Sequence, residues 1–256
     1  MGALDGRVAI VTGAGTGLGQ GIARELAAAG ANVAVLEIDE ASGKQSAAEI
    51  AEIYGVEARA YRTDVAQSKE VDAAFESVVR DFGRLDITVN NAGISRIGPP
   101  THEVSDEDWH ASIAVMQHGV FYCMRAAGRV MVPQGSGSVI NISSIRGFSP
   151  NPGRMTYSTP KAAVIMMTKV AAGEWAPHGV RVNAIAPGVL RTPMWDADVA
   201  RGAIDEQHYI DTVPMHRLGM PSEVGKLVVF LCSDDAEYIT GTVHTIDGAL
   251  TVIPSG

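Results

Sequence analysis

The sequence predicts an α/β fold, a doubly wound parallel seven-stranded sheet with helices on both faces, and three observations predict it. The 256 residues are 46% hydrophobic and 19% charged, which suits one core of the size that α/β folds fill as a single domain. Short runs such as Val8 to Val11 and Asn32 to Leu36 are rich in β-branched residues and almost wholly apolar, as strands buried on both faces are. Each run is followed by a stretch with helical character, and strand–helix alternation at this spacing builds parallel sheets covered by helices. No internal repeat, low-complexity tract or linker divides the chain, so residues 1–256 read as one domain.

Taken in order, the first strand stops at Thr12-Gly13-Ala14-Gly15-Thr16-Gly17-Leu18-Gly19, and an alanine-rich helix runs from there to near Gly30. A strand, a glycine turn and a helix with no linker leave free backbone N–H groups beside a helix N-terminus, where a diphosphate fits. The second strand ends in Glu37-Ile38-Asp39. An acid about twenty residues after such glycines, at a strand's carboxyl end, accepts hydrogen bonds from both ribose hydroxyls of an adenosine and repels a 2′-phosphate. Glu37 fills that role, with Asp39 as the cap of the next helix. Neither Thr16 nor Ile38 brings the positive charge a 2′-phosphate needs, so the expected cofactor is NAD.

The third strand, Glu57 to Arg62, leads to Asp64, which is placed to hold an adenine amino group, and Ser68 caps the helix that follows. The fourth, Leu85 to Val89, ends in Asn90-Asn91-Ala92-Gly93, a compact backbone against which a cofactor can lie. Ser105, followed by Asp106, Glu107 and Asp108, starts a long and largely apolar helix through Met131. Apolar residues nearly all round it predict burial against the sheet and against a second subunit. Pro133 to Gly137 reads as a turn, and the fifth strand, Ser138 to Ile142, delivers Ser143 and Ser144. A loop with Pro150, Pro152 and Gly153 leads to a helix beginning at Tyr157, with Pro160 in its first turn. The sixth strand, Val180 to Ile185, passes into Pro187-Gly188 and Thr192. Weak periodicity at about 190–216 predicts a movable substrate lid. A helix starting at Pro221 and a seventh strand, Thr242 to Gly248, complete the chain.

The net charge of −9 repels nucleic-acid backbones, and no apolar run reaches the length of a membrane span. Cys123 and Cys232 sit in apolar runs, as small buried side chains do in a reducing compartment. The N-terminus lacks the basic head and long apolar run of a signal peptide, and Gly6 stands where myristoylation needs Ser or Thr. A cytoplasmic protein is expected, with no metal site.

Chemistry is concentrated between Ser144 and Lys161. On a helix, Tyr157 and Lys161 are four apart and share a face, so an ammonium near the phenol favours the phenolate. The Ser144 hydroxyl, nearby, can hydrogen-bond the same oxygen.

These pieces, in this order, resemble the short-chain dehydrogenase/reductase family over essentially the full chain. The glycine run from Thr12 to Gly19, Asn90 to Gly93, Ser144 with Tyr157 and Lys161, and Pro187-Gly188 to Thr192 carry the resemblance. It implies a single Rossmann-type dinucleotide-binding and catalytic domain, an oligomer (homotetramer or dimer), and interconversion of a secondary alcohol and a ketone. By that resemblance Tyr157 exchanges the proton, Lys161 lowers its pKa and holds the nicotinamide ribose, and Ser144 orients the substrate oxygen. Gly13, Thr16, Gly17, Leu18 and Gly19 line the diphosphate, and Asp64 with Val65 contacts adenine. Asn91, Ala92 and Gly93 lie along the cofactor, and Pro187, Gly188 and Thr192 surround the nicotinamide. The family's asparagine in the long helix, which supports a proton relay from the lysine, is replaced by Met116, and a thioether donates no hydrogen bond.

Candidate pocket residues are Ser95, Arg96, Ile145, Arg146, Phe148, Met155, Leu190, Met194, Trp195 and Tyr209, with Ser144, Arg146, Tyr157, Leu190 and Trp195 foremost. Most are apolar, which suits an alcohol or ketone with a hydrophobic or ring body. Arg146 is able to bind an anion, and Arg96 and Arg154 are more remote candidates. Two other readings stand beside this one. One is an NADPH-dependent ketoacyl-type biosynthetic reductase, the other a catalytically weak dinucleotide-binding protein.

Overall fold

The computed structural model of the chain describes residues 2–94, 98–202 and 204–252. Its strands are β1 (Val8–Thr12), β2 (Asn32–Glu37), β3 (Ala58–Arg62), β4 (Ile87–Asn90), β5 (Gly137–Ile142), β6 (Val180–Pro187) and β7 (Val243–Ile246). All pair in parallel in one seven-stranded sheet of order β3-β2-β1-β4-β5-β6-β7, a Rossmann-type α/β fold. The chain leaves β1 for β2 on one side and returns as β4 on the other. A crevice therefore opens where the strand order reverses, at the carboxyl ends of β1 and β4.

Around the sheet lie α1 (Gly17–Ala28), α2 (Glu40–Tyr54), α3 (Ser68–Phe82), α4 (Asp106–Ile113), α5 (Gly119–Gln134), α6 (Met155–Trp175), α7 (Pro193–Ala200), α8 (Glu206–Thr212) and α9 (Pro221–Cys232). Successive strand residues point to opposite faces, so β1 divides its side chains between two cores. Ala9 and Val11 pack with Ile22 and Leu26 of α1 and Val224, Val228 and Leu231 of α9. Val8 and Ile10 pack with Val71, Phe75 and Val78 of α3, Met131 of α5 and Val164 of α6. Both faces being covered explains why β1 carries no polar alternation. Glycine sets how closely helices meet: a Cβ at Gly21 would lie 2.4 Å from the Pro221 Cβ, and one at Gly128 2.7 Å from the Trp175 ring.

Several boundaries differ from the sequence reading. Gln67, not Ser68, occupies the N-cap of α3, and the Ser68 hydroxyl instead accepts a hydrogen bond from Arg125 at 2.8 Å. The long helix is interrupted by a π-helical turn, Ala114–His118, with buried Met116 at its centre. Pro133 is the penultimate residue of α5 rather than part of a turn, and the helix stops at left-handed Gly135. Helix α6 begins at Met155, before Tyr157, which places Pro160 beyond the first turn. There its missing N–H leaves the Thr156 carbonyl without its usual helical donor. The segment around 190–216 contains two short helices, α7 and α8. Cys123 and Cys232 are buried and unpaired.

Candidate active site

The site is assembled along the carboxyl edge of the sheet, beginning with the glycine turn. Gly13 has φ 64°, and a Cβ there would meet Ala92 Cα at 3.0 Å. A Cβ at Gly19 would lie 2.1 Å from the Gly13 carbonyl oxygen, so α1 can enter this closely only at a glycine. Gly17, with φ 60°, faces open space, its nearest neighbour in that direction being Thr192 Cβ at 4.0 Å. Thr16, the N-cap of α1, makes no side-chain capping bond, so amides of the first turn, which includes Leu18, remain available to a ligand. An unfilled cradle with free donors fits the diphosphate of a dinucleotide.

The Glu37 carboxylate folds back over this loop. It accepts from the Gly15 N–H at 3.0 Å and from the Ile38 N–H at 2.9 Å. A carboxylate has about four acceptor positions, so capacity remains for ribose hydroxyls. Asp64 accepts from the Ala66 N–H at 2.9 Å, and neighbouring Val65 is buried against the position of Gly119. The Asn91 side chain braces the turn, donating to the carbonyls of Thr12 at 2.9 Å and Gly13 at 3.2 Å. Its amide is thus committed to the protein. Sequence reasoning does not single out Thr12, whose hydroxyl accepts from the N–H groups of Asn91 and Ala92, both at 3.0 Å. In the sequence Thr12 stands out only as the first residue of the glycine run.

Ser144, Tyr157 and Lys161 come together at the ends of β5 and α6. Ser144 caps a short 3-10 turn, Ile145–Gly147, its Oγ accepting from the Arg146 N–H at 3.1 Å. Its hydroxyl lies close enough to the Tyr157 oxygen to favour the phenolate. Burial raises the Tyr157 pKa, and Ser144, Arg154 and Arg146 oppose that rise. The sequence reading gave the opposing role to Lys161. Here the Lys161 ammonium lies 5.7 Å from the centre of the Tyr157 ring and donates to the Ile142 carbonyl at 2.7 Å. Burial pushes its pKa down to about 8. Arg154, at the N-cap of α6, takes on the electrostatic part. Met116 is buried beside this lysine: a Cβ at Gly93 would approach Met116 Cγ at 3.6 Å and Lys161 Nζ at 3.8 Å.

Gly188, which follows Pro187 at the end of β6, packs so tightly that a Cβ would lie 2.8 Å from the Cα of Asp247, the residue after β7. Thr192 N-caps α7 through the Trp195 N–H at 3.3 Å. Trp195 donates from its indole to Glu206 at 3.0 Å and stacks edge-on with Tyr209 at 5.0 Å, tying α7 to α8. Leu190 packs on Gly219 and lines a cavity with Val213, Met215 and Ile246. Ile145 is buried, Phe148 and Met155 are exposed, and Arg146 is half-buried. Ser95, Arg96 and the Met194 side chain lie outside the described residues. Among those described, no group of His, Cys, Asp or Glu could hold a metal ion, and no helix is long and apolar enough to cross a membrane.

A parallel sheet with a glycine cradle at its switch point, beside a Ser–Tyr–Lys cluster, defines a nicotinamide-dinucleotide oxidoreductase acting on CH–OH groups. Over residues 13–251 the chain matches the family described as Enoyl-(Acyl carrier protein) reductase. It is 38% identical over 247 residues to the 3-oxoacyl-(acyl-carrier-protein) reductase FabG of Aquifex aeolicus (strain VF5), covering 96% of this chain and 98% of that one. It is also 38% identical over 252 residues to the short chain dehydrogenase/reductase astE of Aspergillus oryzae (strain ATCC 42149 / RIB 40), covering 98% and 97%. The crystal structure of NAD+-bound xylitol dehydrogenase aligns with a TM-score of 0.90 at 34% identity, covering 96% and 99%. That of levodione reductase aligns with a TM-score of 0.93 at 31% identity, covering 97% and 99%. The chain belongs to the short-chain dehydrogenase/reductase family.

Proposed function

We propose that this protein is an NAD(H)-dependent oxidoreductase that interconverts a secondary alcohol and a ketone, with Tyr157 as the general acid and base. The observation that carries it is a half-buried phenol beside Ser144, with Ser144 and the charges of Arg154 and Arg146 favouring its ionised form. In reduction, Tyr157 gives its proton to the substrate oxygen while Ser144 orients that oxygen. The phenolate left behind keeps the field of both guanidiniums. Lys161, with its pKa near 8, is able to exchange protons at neutral pH. A nicotinamide dinucleotide, when bound, supplies or accepts the hydride.

The cradle of Gly13, Gly17 and Gly19 with Thr16 and Leu18 would hold its diphosphate, and Asp64 and Val65 its adenine. Ala92 and Gly93 would flank it, with Pro187, Gly188 and Thr192 at the nicotinamide. Glu37 at the end of β2 favours NAD over NADP, because a 2′-phosphate would meet its carboxylate. The pair α7 and α8 serves as a substrate lid over the single domain. The chain assembles as a homotetramer or dimer through α5 and α6, where Phe121, Met166 and Val170 stand exposed. The similarity to 3-oxoacyl-(acyl-carrier-protein) reductases keeps an NADPH-dependent biosynthetic reductase as the second reading.

The test is oxidation of NADH and NADPH by the purified protein across cyclic, aromatic and keto-acid ketones, repeated with Tyr157→Phe. The expected result is turnover with NADH, and loss of turnover with retained NADH binding in the variant. Turnover with NADPH alone overturns the cofactor assignment, and a fully active Tyr157→Phe overturns the mechanism.

A further inference from the structure

We propose that the substrate carries a compact oxyanion, a carboxylate being the simplest, and that Arg146 binds it; this rests on the alcohol–ketone reading above. Arg146 is tied to the reacting centre by its own backbone, since its N–H donates to Ser144 Oγ at 3.1 Å. Its guanidinium is anchored at one corner only. Nη1 donates to the Ser149 carbonyl at 3.1 Å and to Asn151 Oδ1 at 2.8 Å, both uncharged acceptors. Nε and Nη2, the edge that grips a carboxylate with two parallel hydrogen bonds, have no partner among the described residues.

Other arginines show how unusual this is. Arg62, Arg84, Arg191 and Arg217 are each paired with a carboxylate. Arg181 has no carboxylate either, but it spreads both Nη atoms over the carbonyls of Leu231, Ile239 and Ser233. Arg146 has neither kind of satisfaction. It is half-buried and close enough to Arg154 for the two charges to repel. A partly buried cation beside a second cation, with its bidentate edge unpaired by the protein, is a site for an anion from outside. Tyr209 of α8 and the reacting Tyr157 both lie near Arg146, whose backbone N–H bonds Ser144, so the anion would belong to the molecule being turned over.

The competing role is a brace: Arg146 would simply hold the Ser149–Asn151 loop. Acetoacetate and its methyl ester, which differ only in the charge, separate the two roles when assayed with NADH and with NADPH. The expected result is a kcat/KM at least about tenfold higher for the acid, a ratio that Arg146→Gln brings close to one, chiefly through KM. Arg146→Lys should retain part of the preference. An equal use of acid and ester, or an Arg146→Gln variant that loses both in proportion, overturns the proposal. Binding gives the second readout: benzoate should quench the fluorescence of the protein–NADH complex where benzamide does not, and Arg146→Gln should abolish the difference. If no ketone reacts yet benzoate binds through Arg146, the alcohol–ketone reading falls and the anion site stands. If ketones react without charge preference and benzoate does not bind, the anion site falls and the reading stands.

Discussion

Tyr157 is a phenol under two opposing influences, and its neighbours decide the balance. Burial holds it protonated, while Ser144, Arg154 and Arg146 pull it toward phenolate. Alcohol oxidation needs the phenolate, so its rate rises with pH through the Tyr157 pKa. Removing a cation raises that pKa further: Arg154→Gln is expected to move the rising limb of oxidation to higher pH, while reduction near neutrality, which needs the phenol, keeps its profile. A pH–rate series in both directions checks this. At the same scale, Met116→Asn is expected to raise turnover by supplying a hydrogen-bonding group beside Lys161. An unchanged rate and pH profile would show that proton delivery does not limit the enzyme. Spacing made Ser144, Tyr157 and Lys161 legible in the sequence. The influence of Arg154 was not, because it depends on α6 starting at Met155, ahead of the tyrosine. Nor was the Lys161 bond to Ile142, which arises only when β5 and α6 pack together.

Helices meet the sheet and each other through small residues, and their placement makes contrasting outcomes. Gly21→Ala forces a methyl group to within 2.4 Å of the Pro221 Cβ, and a loss of about 1–3 kcal/mol is expected by urea unfolding. Gly173→Ala in α6 meets nothing within 4 Å, so helix propensity alone acts, and a gain of about 1 kcal/mol is expected. The first turn of α9 carries its own pH dependence. Arg217, bonded to Glu223 at 2.6 Å, and the Met220 N–H push the Glu223 pKa down to about 2. Its stabilising contribution is complete above the ordinary glutamate pKa of about 4.3 and fades as the pH falls through about 2. Glu223→Gln should therefore unfold more readily than the parent at pH 7, with the gap narrowing in acid. The existence and order of the strands and of α1, α2, α3, α6 and α9 were readable from apolar runs and glycine turns, whereas α7 and α8 were not. The π-helical turn at Ala114–His118 was not, because its one extra residue is invisible to a helical period and is fixed by packing around Met116.

At the scale of the whole molecule, the parallel, doubly wound sheet followed from strand–helix alternation, and the structure adds the strand order. What alternation cannot show is how the two ends of the chain meet. Helix α1 packs on α9, with Ile22 and Leu26 sharing one core with Val224 and Val228, and Arg7 donates to the Cys232 carbonyl at 2.7 Å. This contact joins residues more than two hundred positions apart, so it can form only when almost the whole polypeptide has left the ribosome. Until then the first strand–helix unit, which holds the cofactor cradle, exposes an apolar face to solvent. Such long-range closure slows folding and lengthens exposure to aggregation. A chain released at Met220 should accordingly bind a hydrophobic dye and fail to bind NADH, although every residue assigned to the cofactor would already have been made.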